Sequence, residues 1–113
     1  MEYQLAHIGI NTDSDREAAE LAETLCDMFN LSPRHGVKSE FAGSIAECMK
    51  SPYLGKNGHI ALKTDDLQAA VTELKEKGYA FRMSTAQYTD EGKLKNIYLD
   101  GEYGGFAIHI MQA

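Results

Sequence analysis

The sequence predicts an α+β domain: two βαβββ modules whose strands form a curled, mostly antiparallel sheet around a cleft, with the helices on the outer face. Three observations predict it. The phrase His7-Ile8-Gly9-Ile10-Asn11-Thr12-Asp13 returns as His59-Ile60-Ala61-Leu62-Lys63-Thr64-Asp65, at a constant offset of 59 − 7 = 52. A second pair of phrases, Phe41 to Lys50 and Tyr103 to Gln112, closes each half at an offset of 109 − 47 = 62. Each opening phrase runs from a short apolar strand into capping residues and an amphipathic stretch. Such a period reads as an internal duplication. It divides the 113 residues into repeat one (1–51), a linker (52–57) and repeat two (58–113) of a single domain. A chain of this length builds one core rather than two.

Residues 3–10 alternate as a strand does, with Ala6, Ile8 and Ile10 on a helix-facing side and Leu5, His7 and Gly9 on the other. Ser14-Asp15-Arg16-Glu17 is a capping box in which Ser14 satisfies a free amide and Glu17 reaches back to Ser14. Ala18, Leu21, Ala22, Leu25, Met28 and Phe29 then recur at helical spacing, and Pro33 stops the helix. Residues 34–50 supply the remaining strands of the first half, with turns at Gly36 and Gly43 and a last strand over about 44–50. On that strand Ile45, Glu47 and Met49 point one way, while Ala46 and Cys48 lie against the helix.

The second half repeats the plan. Ile60 and Leu62 face a helix, and His59 and Ala61 face away. Thr64, Asp65 and Asp66 are capping residues, and Leu67, Ala70, Val71 and Leu74 form the next stripe. Lys75 and Lys77 suit the helix C-terminus, with Gly78 as its cap. Strands follow over Tyr79 to Ser84 and Leu94 to Leu99, separated and followed by turns at Thr89 to Gly92 and Asp100 to Glu102. On the last strand Phe106, Ile108 and Ile110 face the helix, and Ala107, His109 and Met111 face the other side.

Composition narrows the partners. A net charge of −6, with no basic stripe, argues against nucleic acid and against an anionic membrane surface. No apolar run approaches the ~20 residues that cross a bilayer, and Glu2 stands where a secretion signal would be basic. The expected location is cytoplasmic, where Cys26 and Cys48 serve as small core residues.

The chemistry falls to the four residues at matched places on the opening and closing strands: His7, Glu47, His59 and His109. Three imidazoles and a carboxylate suit a borderline divalent ion: zinc, nickel, cobalt, iron or manganese. His35 reads as an exposed loop residue, Met49 and Met111 as cleft walls, and Tyr88 and Tyr98 as packing residues. The Gly101 to Gly105 stretch reads as a turn rather than a phosphate loop, because no helix follows it.

With these residues in view, the whole chain resembles the vicinal oxygen chelate superfamily, which includes glyoxalase I, bleomycin-resistance proteins, extradiol dioxygenases and methylmalonyl-CoA epimerase. The phrases Gly58-His59-Ile60-Ala61-Leu62 and Gly104-Gly105-Phe106-Ala107-Ile108-His109 carry the resemblance best. The ending also looks like the module associated with 2-dehydro-3-deoxyphosphogluconate aldolases. The resemblance implies metal ligands at His7, Glu47, His59 and His109, with His109 where the family usually has an acid. That leaves Glu47 as the carboxylate for proton transfer. It implies a metal-dependent lyase, isomerase or epimerase for a small substrate with adjacent oxygens. The alternatives are a metal-free small-molecule binding module and an accessory domain of a keto-acid sugar aldolase. The expected assembly is a homodimer, with sites formed within one chain or shared between two.

Overall fold

The computed structural model describes residues 1–113. Each half runs strand, helix, three strands. The first contains β1 (Gln4–Asn11), α1 (Asp15–Phe29), β2 (Pro33–His35), β3 (Ser39–Ala42) and β4 (Ala46–Met49). The second contains β5 (Gly58–Thr64), α2 (Leu67–Glu76), β6 (Phe81–Tyr88), β7 (Leu94–Leu99) and β8 (Phe106–Gln112). All strands join one open mixed sheet in the order β2-β3-β4-β1-β5-β8-β7-β6. No helix is long and apolar enough to cross a membrane.

Within each half the opening and closing strands pair in parallel, β1 with β4 and β5 with β8. The two opening strands pair antiparallel at the centre of the sheet. The registers create two cross-strand rows. Gly9 lies between Glu47 on β4 and His59 on β5. Ala61 lies between His7 on β1 and His109 on β8. Partners in a row share a face, so each small residue has a polar side chain on either side of it.

The helices cover the opposite face. α2 lays Leu67 and Val71 on Phe81, Ile97 and Ile110 to form the larger core. α1 lays Ala18 and Ala22 on Cys48, with Leu21 and Leu25 beside them. Ser14 caps α1, its hydroxyl accepting from the Glu17 amide at 3.1 Å. Glu17 reaches back one residue further than the capping box predicts, to the Asp13 amide. The helix ends at Asn30, in the left-handed conformation, ahead of Pro33, which opens β2 instead. Asp66 caps α2 by accepting from the Ala69 amide.

Gly36 and Gly43 lie in the two turns expected, flanking β3. Three further details of the fold differ from expectation. Ala6 is an extra residue opposite β5, so Leu5 pairs with Leu62 and leaves the face of His7. The apolar stripe of α1 stops short, leaving Met28 56% and Phe29 62% exposed. Tyr79 is held by the end of α2, its amide donating to the Leu74 carbonyl, so β6 starts later, at Phe81, and runs on to Tyr88.

Candidate metal centre

The two cross-strand rows bring His7, Glu47, His59 and His109 together on the face away from the helices. His59 Nε2 lies 3.0 Å from Glu47 Oε1, and His7 Nε2 lies 3.5 Å from the same oxygen. The two Nε2 atoms are 3.3 Å apart. One ring nitrogen from each of His7, His59 and His109 lies within 4.8 Å of the others. All four side chains come from one chain. A tetrahedral ion with bonds of ~2.0–2.1 Å spaces its ligand atoms ~3.3–3.4 Å apart. The separations among His7, Glu47 and His59 bracket that edge length.

His109 adds the stronger test of fit. Its Nδ1 is 2.6 Å from the Asn96 side-chain oxygen. An amide oxygen only accepts, so Nδ1 carries the proton and Nε2 the lone pair. That Nε2 is buried and has no protein partner. Burial first, then His59 and His7, push the His109 pKa down to about 3, so the ring is neutral at pH 7. A neutral imidazole with its far nitrogen anchored is the form that binds divalent ions, and its lone pair is buried and unpaired. The donor set therefore fits a metal.

Glu47 is held ionised. Hydrogen bonds from His59, then His7, then Ser39 keep its carboxyl well below the usual range, although burial acts the other way. Ser39 Oγ donates to Oε2 at 2.8 Å, leaving Oε1 to the imidazoles. The His59 ring lies over Gly9, where any Cβ would overlap it. Tyr98 stacks on His109 with centroids 4.6 Å apart and planes inclined by 22°. Burial is the main reason the Tyr98 hydroxyl titrates well above its ordinary value, so it is a neutral group at pH 7.

These groups form the floor of a cleft of about 950 Å³, with Met49, Met111 and Tyr53 among its walls. Tyr98 belongs to the cleft rather than to packing alone, whereas Tyr88 points to solvent. His35 is exposed as expected, but it sits in β2 and pairs with Glu40 at 2.6 Å, apart from the cleft. Asn96, Ser39 and Tyr98 are absent from the set expected from the sequence. The alternation of Asn96 and Tyr98 against the core residue Ile97 is the signal that turns them toward His109.

Asn96→Leu keeps the bulk but removes the acceptor at Nδ1. Divalent-ion affinity, read by competition with a chromophoric chelator, is expected to fall about 10–100-fold with the fold retained. An unchanged affinity would remove Asn96 from the centre.

No family model and no curated protein matches the sequence. Solved structures do match the fold. A hypothetical protein from Bacillus halodurans C-125 superposes with a TM-score of 0.67 at 16% identity, over 100% of this chain and 96% of that one. A methylmalonyl-CoA epimerase in complex with methylmalonyl-CoA and NH4+ gives 0.63 at 16% identity, over 100% and 96%. The methylmalonyl-CoA epimerase from Mycobacterium tuberculosis gives 0.61 at 20% identity, over 96% and 86%. These neighbours give no support to the likeness to the aldolase-associated module. What the chain shares with the epimerases is the glyoxalase-like fold.

Proposed function

We propose that this chain is a metal-dependent isomerase or epimerase, with lyase chemistry as the related outcome, acting on a small substrate with two neighbouring oxygens. The observation that carries this is the meeting of three imidazoles and one carboxylate at the floor of a substrate-sized cleft. His7, Glu47, His59 and His109 are the proposed ligands. A divalent ion bound there supplies positive charge opposite the oxygens on which negative charge builds as a neighbouring C–H proton leaves. The likeness to methylmalonyl-CoA epimerases supports proton transfer between faces of one carbon as the reaction type.

Glu47 is the proposed proton carrier as well as a ligand. Its Oε2 is fixed by Ser39, so one oxygen is oriented at the floor whatever the other does. The neutral His109 accepts no proton in the working pH range, so it competes for none. Tyr98 and Met111 line the cleft beside these groups.

The test is metal-dependent exchange of the substrate C–H in deuterium oxide, scored by mass spectrometry over a panel of acyl thioesters and 2-oxo acids. The purified chain is expected to hold about one ion per site and to exchange one C–H of its substrate. Glu47→Gln is expected to slow exchange by about 10²–10⁴-fold. A metal-loaded, folded protein that exchanges nothing in the panel refutes the reaction.

A further inference from the structure

We infer that the substrate carries a second anionic group, a carboxylate or a phosphate, which Lys38 and Lys95 receive at the mouth of the cleft. This rests on the proposed function for the floor of the cleft only. The chain has 17 acidic residues against 11 basic ones. The charged lining of the cleft reverses that balance, with Lys38, Lys50 and Lys95 against Asp15 and Glu47. Glu47 is turned to the imidazoles and Ser39. Lys50 is engaged, since its Nζ donates to the Gly36 carbonyl at 2.9 Å and lies 3.6 Å from Glu40. Lys38 and Lys95 are exposed and enter no ion pair.

The two lysines come from different halves, one from the turn before β3 and the other from β7. Free cations that converge on one cleft of an acidic protein set up a local field opposite to that of the whole molecule, which gathers anions. Size points the same way. About 950 Å³ is at the upper end for a small-molecule site, and a three- or four-carbon acid seated on the floor leaves the mouth unfilled. The donor set adds a third reason. Three imidazole ligands, which carry no charge when they coordinate, and one carboxylate would leave a divalent ion with net positive charge, which would favour an anionic chelating end. The substrate is thus anionic at both ends, with a middle section against Met49 and Tyr53.

Calorimetric titration of the full chain, zinc-loaded and zinc-free, with glycolate, malate and 3-phosphoglycerate tests this. Malate or 3-phosphoglycerate is expected to bind about tenfold tighter than glycolate. The preference should shrink between about 50 and 500 mM salt. Whichever of the two binds better identifies the second group as carboxylate or phosphate. Lys38→Gln combined with Lys95→Gln should abolish the preference, weakening malate and 3-phosphoglycerate at least about tenfold more than glycolate, with the chain still folded by circular dichroism. Equal affinities for one and two anionic groups, or a preference that survives the double substitution, overturn the inference. A chain that takes up none of zinc, nickel, cobalt, iron and manganese defeats the proposed function instead. The zinc-free titration then decides: lysine-dependent binding of the doubly anionic acids upholds the inference, and none overturns it.

Discussion

His59→Ala is expected to abolish divalent-ion binding and leave the fold standing. His59 is 2% exposed and is the hub of the centre. Its Nε2 meets both Glu47 Oε1 and His7 Nε2, and its ring centroid is 5.1 Å from that of His109. A structural zinc site with four ligands holds its ion by about 10–16 kcal/mol. An equal share for one of four ligands, about 2.5–4 kcal/mol, is a loss of affinity on the order of 10²–10³-fold. That takes a tightly bound ion into the range where purification removes it. The substitution does not open either hydrophobic core, because both lie beneath the helices and His59 is on the cleft side. Elemental analysis together with a circular dichroism melt separates loss of metal from loss of fold. A folded variant that retains its ion at undiminished affinity would mean that the imidazoles serve only one another.

The repeated phrase made the architecture legible because it marks which strands correspond, and corresponding strands pair alike. β1 pairs with β4 as β5 pairs with β8, and the ligand-type residues follow. Strand alternation is local, so the sides taken by Cys48 and Ile110 were readable from neighbours alone. A bulge has no such signature. Ala6 looks like any strand residue, and only the partner strand reveals that it is unpaired and that Leu5 has changed sides. The exposure of Met28 and Phe29 is likewise invisible in a helical period, which reports a face but not how far the sheet beneath it extends.

The same division holds at the centre. His7, Glu47, His59 and His109 were legible because two of the strands repeat and two close the repeats. Ser39 and Asn96 act across pairings that the repeat does not mark. Ser39 reaches Glu47 because β3 returns antiparallel beside β4, and Asn96 reaches His109 because β7 lies beside β8 in the register that sets it opposite Met111. These are register facts, decided by turn length and packing. Residue type offers little warning of them, since Ser and Asn usually bond to solvent or backbone.

Gly9→Ala is expected to disable the centre by one methyl group. Gly9 stands between Glu47 and His59 in its cross-strand row, and those side chains close over it to 3.0 Å. A Cβ at Gly9 would overlap the Cε1, Nδ1 and Nε2 atoms of His59. The ring is nearly fully buried and cannot swing aside without moving Tyr98 or His109. Overpacking of this kind costs about 1–3 kcal/mol, and the displaced ring leaves the ligand set, so divalent-ion affinity should fall on the order of 10²-fold. The equivalent position in the other half is already Ala61, between His7 and His109, whose ring centroids are 5.6 Å apart. A double-mutant cycle isolates the cause. In a His59→Ala background the added methyl meets no ring, and alanine is favoured over glycine in a strand by roughly 0.5–1 kcal/mol. The same substitution should therefore destabilise the parent and stabilise the variant in thermal melts. A loss of similar size in both backgrounds would place the damage in the strand itself and release Gly9 from any part in seating His59.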